Sequence, residues 1–308
     1  MNTMLTAFST VAMMLLCALP GYVSVKTRIL REESIPVLAK VLMYICQPAL
    51  ILYSMAGIPY NSSLLGDMLL VFFLALLLLG GTIGIVFLCL RHKMTEARFR
   101  IYTIASALGN FGFMGVPMLK ALLPDYPEAL ALSTVFSVAL NVLAWTVACS
   151  VISLDTRHIS ARKIFLNPPV LALPFAILLF VTGLSLPAPV TGTINYLAEM
   201  STPLCMLIMG ARLALSDLRR IFLTPIHYLF IAIKQLLLPA ATLALLLLLP
   251  VGADLRATVY ILMCCPVASV VLNFSEMRGE GQESAAGLVL LGTILSALTL
   301  PLMTLLLP

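Results

Sequence analysis

The sequence predicts an all-α membrane protein of ten transmembrane helices, built as two inverted five-helix repeats with broken crossover helices at positions four and nine. Three observations lead there. Apolar residues make up 61% of the chain and charged residues only 10%, where a soluble domain carries roughly 25% charge. The apolar residues fall in blocks near the roughly 20 residues that a helix needs to cross a bilayer core. The two halves also echo each other faintly at a shift of 155 residues. With five spans in each half, the second half enters the membrane in the opposite sense.

The spans read as Leu5–Val25, Ile35–Ala56, Asp67–Leu90, Phe99–Leu123 and Ala129–Leu154 in the first half. The second half reads as Pro168–Leu186, Gly192–Leu213, Ile221–Leu249, Leu255–Ser275 and Ser284–Leu307. The corresponding units are residues 1–154, a cytoplasmic connecting loop at 155–167, and residues 168–308. Span 1 is expected to stay in place, because no positive n-region precedes Leu5 and no A-x-A cleavage site follows.

Positive charge orients the spans. Lys26, Arg28 and Arg31 follow span 1, and Arg91, Lys93, Arg98 and Arg100 follow span 3. Arg157, Arg162 and Lys163 follow span 5. Arg212, Arg219 and Arg220 follow span 7, and Arg278 follows span 9. The opposite loops offer Lys120 and Arg256. The odd loops are therefore cytoplasmic and both termini lie outside a bacterial inner membrane. The net charge of +5 is this loop bias and predicts no nucleic-acid partner. All seven cysteines lie within spans, where they act as small apolar residues. No CxxC or Cys/His ligand spacing occurs, so neither a metal site nor a cofactor is expected.

In the echo, Gln47-Pro48 falls on Thr202-Pro203, Phe111 and Gly112 on Pro266 and Val267, and Asn141 on Ser296. Helix breakers cluster at matching places. Span 4 carries Gly109, Asn110, Gly112, Gly115 and Pro117 within nine residues, and span 9 carries Pro266 followed by Ser269 and Asn273. Glycine permits close helix packing in membranes, which is one account of such a stretch. With Pro117 and Asn110 beside the glycines and a proline in the partner span, a discontinuous pair is the account favoured here. Unwound backbone at membrane depth must be buried in protein or line a cavity. If spans 4 and 9 cross at their breaks, two half-helix N-termini meet, and their N–H groups suit a carboxylate.

At these residues the chain resembles the auxin efflux carrier family, bacterial members included, which is related to the plant PIN-FORMED auxin carriers. Gly109-Asn-Phe-Gly-Phe-Met-Gly-Val-Pro117 is similar to that family's Gly-Asn-x-Gly-aromatic-x-Gly-x-Pro stretch. Gln47-Pro-Ala-Leu-Ile-Leu52 resembles its proline-bearing second span, and Asn167-Pro168-Pro169 the start of its sixth. Pro266-Val-Ala through Ser275-Glu-Met-Arg-Gly279, with Leu288–Pro301, resembles its last two spans. The resemblance implies a ten-span, two-repeat carrier of organic anions: auxin in plant members, malate or malonate in some bacterial ones. It implies that Asn110 contacts a substrate carboxylate. The large cytoplasmic loop of plant members is missing. Many bacterial relatives have a polar residue just after the span 9 proline; here Ser269 and Asn273 are the candidates.

The substrate-contact candidates are Asn110, Gly109, Gly112 and Lys234 with Ser269, Asn273, Asn141, Gln47 and Thr202. Pro117 and Pro266 are expected to maintain the breaks. Lys234 is conspicuous, since a central lysine costs about 2.5–3.5 kcal/mol on insertion scales. It reads either as an electrostatic attractor for an anion or as a structural group paired with carbonyls or with Glu199. Glu199 is a candidate proton carrier, a partner for Lys234, or a residue merely exposed to an outer vestibule. Asp67, at the expected start of span 3, is either a helix N-cap or a proton site. Asn141, with Ser137 and Trp145 a turn away on either side, also fits a plain interhelical hydrogen bond.

The function expected is therefore secondary or facilitative transport of small carboxylates by alternating access, with partners limited to the anion and the bilayer. Oligomeric state is open, a homodimer included. The alternative is a membrane-embedded sensor that binds an organic anion without moving it. An enzyme is not expected: the spans hold no HExxH motif, no paired catalytic aspartates and no Ser/His constellation. A cation/proton antiporter would want an acidic pair at the crossover, and spans 4 and 9 supply none.

Overall fold

A computed structural model describes residues 3–56, 58–153 and 168–307. The expected connecting loop at 155–167, including Asn167, lies outside the described residues. Among these residues the protein is helical throughout, and its one β-type pairing is an isolated bridge.

In chain order the helices are α1 (Thr3–Lys26), α2 (Glu32–Met55), α3 (Ser62–Lys93), α4 (Ala97–Ala105), α5 (Phe111–Leu122) and α6 (Glu128–Ile152). They continue with α7 (Pro168–Thr182), α8 (Ala188–Leu215), the short α9 (Leu218–Leu223) and α10 (Pro225–Leu248). The last three are α11 (Ala253–Cys264), α12 (Val270–Arg278) and α13 (Gln282–Leu306). Seven of them, α1, α2, α3, α6, α8, α10 and α13, are long and apolar enough to cross a bilayer. Their outer faces are apolar: Met13, Leu16, Phe73, Leu77, Ile85 and Leu237 are all exposed. Such a surface belongs in lipid, so this is an integral membrane protein.

Spans 3 and 8 begin elsewhere than expected, and other boundaries shift by up to four residues. Span 3 begins at Ser62, not at Asp67. Asn61 takes extended backbone before it, and its Oδ1 accepts the Ser63 N–H at 2.9 Å. Asn61 is therefore the N-cap, and Asp67 sits half-buried inside the helix. Span 8 begins at Pro225. Thr224, extended as residues before proline are, separates α9 from α10.

The halves interlock. α1 packs along α8 and α13, while α2 packs against α7 and the first part of α8; α3 packs on α6. The α1–α8 contact is set by two glycines. A Cβ on Gly21 would overlap the Leu207 carbonyl, and one on Gly210 would overlap that of Ala18. Small residues let the two backbones approach, as membrane packing requires. Wide π-type turns precede prolines three times: Leu42–Cys46 before Pro48, Phe111–Gly115 before Pro117 and Ile233–Leu237 before Pro239. A proline lacks the N–H that closes a regular turn and crowds the carbonyl four residues back; a widened turn accommodates both effects.

Candidate functional site

Helix α4 stops at Ala105 and α5 starts at Phe111. Between them the backbone turns out of the helix at Asn110, with φ −80° and ψ 61°. Glycine at 109 and 112 removes the helix-favouring side chains around this point. Helix α11 stops at Cys264, and Cys265 is extended, with φ −62° and ψ 142°. The ring of Pro266 disfavours a helical residue before it, so the sequence itself ends the helix there.

The two interruptions cross and satisfy each other. The Asn110 N–H donates to the Pro266 carbonyl at 2.8 Å, and the Ala268 N–H donates to the Leu108 carbonyl at 2.9 Å. Gly109 and Val267 face one another as an antiparallel bridge. Unwound backbone deep in an apolar protein would otherwise leave these groups unpaired. Pro266 stands inside its interruption. Pro117 does not: it follows the widened turn within α5, beyond the break.

Both re-entering helices put their N-terminal turns on one cavity. Its walls include Phe111, Gly112 and Phe113 from α5, and Ser269 and Val270 at the start of α12. Gln47 on α2, Gly109, Asn110, Asn141 and Asn273 also line it. So seven of the nine residues proposed as substrate contacts from sequence meet here. The cavity holds about 80 Å³, space on the order of six waters. Asn110 is buried, and Asn141 donates its side-chain amide to the Ser137 carbonyl at 2.8 Å.

Among the lining residues not proposed as contacts from the sequence, two polar ones stand out, Arg212 and Ser137. Arg212 was read as the first charge of a loop. It stands instead in the last turn of α8 with its side chain 10% exposed, and it is the charged residue among those lining the cavity. Its guanidinium pairs with the Glu276 carboxylate through Nη1 and donates from Nη2 to Asn273 Oδ1 at 3.2 Å. Its Nε and the hydroxyl of Ser137, the second of these lining residues, are buried without a hydrogen-bond partner among the described residues. A hint lay in the sequence: Arg212 follows Gly210-Ala211 without the polar residues that open a loop.

Other candidates fall outside the cavity walls. Lys234 is fully buried in the widened turn of α10, where its Nζ donates to the Met263 carbonyl at 3.2 Å and lies 5.3 Å from the centre of the Phe111 ring. Met263 is in the last turn of α11, where the helix dipole favours a cation, and the negative ring face adds to this. Of the alternatives read from sequence, the carbonyl contact is present and a pair with Glu199 is not: Glu199 is exposed, and no ion pair involves it among the described residues. Thr202 donates its hydroxyl to the Phe113 carbonyl at 2.8 Å. That carbonyl lies four residues before Pro117, which has no N–H to offer it. Thr202 therefore completes α5 from a neighbouring helix.

A family model described as membrane transport protein matches residues 6–161 and 152–304. Over 269 residues the chain is 26% identical to a protein of Rhizobium meliloti (strain 1021) named "Putative malonate transporter", with 84% of this chain and 82% of that one covered. It is also 26% identical over 215 residues to an uncharacterized transporter of Methanocaldococcus jannaschii, covering 66% of this chain and 68% of the relative. An uncharacterized transporter of Methanothermobacter thermautotrophicus is 26% identical over 219 residues, with 68% and 69% covered.

Proposed function

The chain belongs to the membrane transport protein family, of auxin efflux carrier type, and from that membership we propose that it carries small organic anions across the membrane by alternating access, binding them at the crossing of the two broken helices. The observation that carries this reading is the shared cavity: two helix N-terminal turns, neutral amides and one arginine around about 80 Å³. Helix N-termini and a guanidinium both favour a carboxylate. The volume suits acids of a few carbons, well below the roughly 300–1,000 Å³ of drug-sized pockets. The printed name of one relative, "Putative malonate transporter", supports trying a dicarboxylate first.

In this reading α4 with α5 and α11 with α12 each form one interrupted span, α7 forms another, and with the seven long helices they make ten. Residues 1–154 and 168–308 are the two inverted halves, joined by 155–167. The loop charges put the α8–α9 end and the segment after α12 in the cytoplasm of a bacterial cell, and both termini outside. Asn110, Ser269 and Asn273 contact the anion from the two breaks, with Gln47 and Asn141 behind them. Lys234 holds the crossover in shape by tying the end of α11 to the start of α5.

Counterflow in proteoliposomes tests this. Purified protein preloaded with each of a panel of mono- and dicarboxylates, malonate included, is expected to exchange at least one against its labelled form, saturably. Thermal stabilisation by an acid that is never exchanged would replace the carrier with a ligand sensor.

A further inference from the structure

Arg212 lines a second cavity besides the crossover cavity. This one is wider, about 500 Å³, and its walls include Glu32, Asp217, Arg220, Glu276 and Glu283. Among the described residues Arg212 is the one shared by the two linings, so it borders both cavities. The pair that holds it there bridges separate elements, Arg212 on α8 and Glu276 on α12. Asn273, which takes the Nη2 proton, lies three residues before Glu276 and so on the same face of α12.

The two partners are unequally dependent on each other. The Arg212 side chain is 10% exposed and the Glu276 side chain 44%. Separated, Glu276 would be rehydrated in the wide cavity, whereas Arg212 would be left as a buried cation needing an anion. A guanidinium offers five N–H donors and takes carboxylates two at a time. Glu276 and Asn273 occupy the Nη groups, while Nε, although buried, has no partner among the described residues.

We propose that Arg212 and Glu276 form a substrate-displaced gate: Glu276 is a built-in competitor at the arginine, and a carboxylate reaching the crossover cavity takes its place, releasing α12 from α8. This rests on the carrier reading above for the identity of the displacing anion, but not for the gate itself. An anion would thus unlock its own passage, and an empty carrier would stay shut on this face.

The native Cys205 reports on the gate without any introduced thiol, since it lines the crossover cavity and is buried. Its modification by a small methanethiosulfonate is followed by peptide mass spectrometry on the full chain in detergent. Glu276→Gln removes the competing charge. Cys205 is expected to react at least tenfold faster in that variant, while the equally native Cys149 keeps its rate as a check on folding. Counterflow would then show an apparent affinity for malonate raised several-fold. The double exchange Arg212→Glu with Glu276→Arg should restore slow modification of Cys205 yet abolish malonate exchange. Equal Cys205 rates in wild type and Glu276→Gln overturn the gate whatever the substrate proves to be. If Glu276→Gln speeds both cysteines alike, the pair is a structural strut, and the gate is overturned on that outcome too. If the wild type exchanges no carboxylate while the Cys205 rates differ as expected, the carrier reading fails and the gate stands.

Discussion

Ser201 donates its hydroxyl to the carbonyl of Cys46 at 3.2 Å, and the two positions are 155 residues apart. That separation is the offset at which the two halves of the sequence echo each other. Residues that follow each of them, Gln47-Pro48 and Thr202-Pro203, are the proline-bearing pairs of α2 and α8. The proline helices therefore touch at matching positions, next to the crossover. Ser201→Ala is expected to lower detergent thermal stability modestly, by about 0.6 kcal/mol, as single interhelical hydrogen bonds in membranes do. No measurable drop would mean that the contact is incidental.

Thr202 should matter more. Thr202→Val preserves shape but leaves the Phe113 carbonyl without a donor, at a cost of about 1–3 kcal/mol. Thr202→Ser keeps the hydroxyl and should recover most of it. Comparing the two variants by thermal unfolding in detergent checks this; a Thr202→Ser loss as large as that of Thr202→Val would mean that the hydroxyl is not what sets the cost.

Asn110→Ala removes an amide from the cavity wall and leaves the crossover bonds intact, because residue 110 makes its bond to Pro266 through the backbone. Membrane insertion and thermal stability should stay near wild type, and carboxylate affinity should fall by about 1–3 kcal/mol. Unchanged exchange kinetics would reduce Asn110 to a packing residue.

Lys234 ties Met263 at one break to Phe111 at the other. Lys234→Met leaves the Met263 carbonyl unpaired, so a stability loss of about 1–3 kcal/mol is expected. Glu199→Gln should change nothing on its own and rescue nothing when added, since Glu199 is exposed and apart from the lysine. A rescue in the double-mutant cycle would show coupling between the two.

Gly210→Ala puts a methyl where the Ala18 carbonyl lies. Backbone cannot step aside as a side chain can, so a loss of at least about 2 kcal/mol is expected. Gly66→Ala in α3 meets nothing within 4 Å and should gain up to about 1 kcal/mol from helix propensity. Relative yields of folded protein after mild heating separate the two.

Much of the site was legible in the sequence because its causes are local. Gly109, Asn110 and Gly112 mark a backbone that cannot stay helical, and Pro266 forces extension on Cys265; the sequence displays both. What it does not display is a carbonyl. The partners of Lys234 and Thr202 are main-chain oxygens; for Lys234 the sequence allows a carbonyl beside Glu199 without saying which carbonyl, and it presents Thr202 only as a cavity residue. Arg212 was hidden by a rule that is right on average: basic residues near span ends are counted with the cytoplasmic loops, although the expected span already runs to Leu213 and α8 continues to Leu215. Asp67 misled because carboxylates often begin helices, whereas here Asn61 does so six residues earlier.

The crossing of α4–α5 with α11–α12 is made by main-chain atoms of Leu108, Asn110, Pro266 and Ala268. A joint of that kind is blind to side-chain identity. Leu108, Val267 and Ala268 are themselves buried, so packing limits their size, but the bonds of the joint ask only that the chain there stay out of the helix. On the carrier reading, substrate preference would rest on Asn110 and Ser269 together with Gln47, Asn141, Arg212 and Asn273, the last four being lining residues carried on helical backbone. A descendant could then change its substrate by altering a few helix-borne side chains while inheriting the joint unaltered.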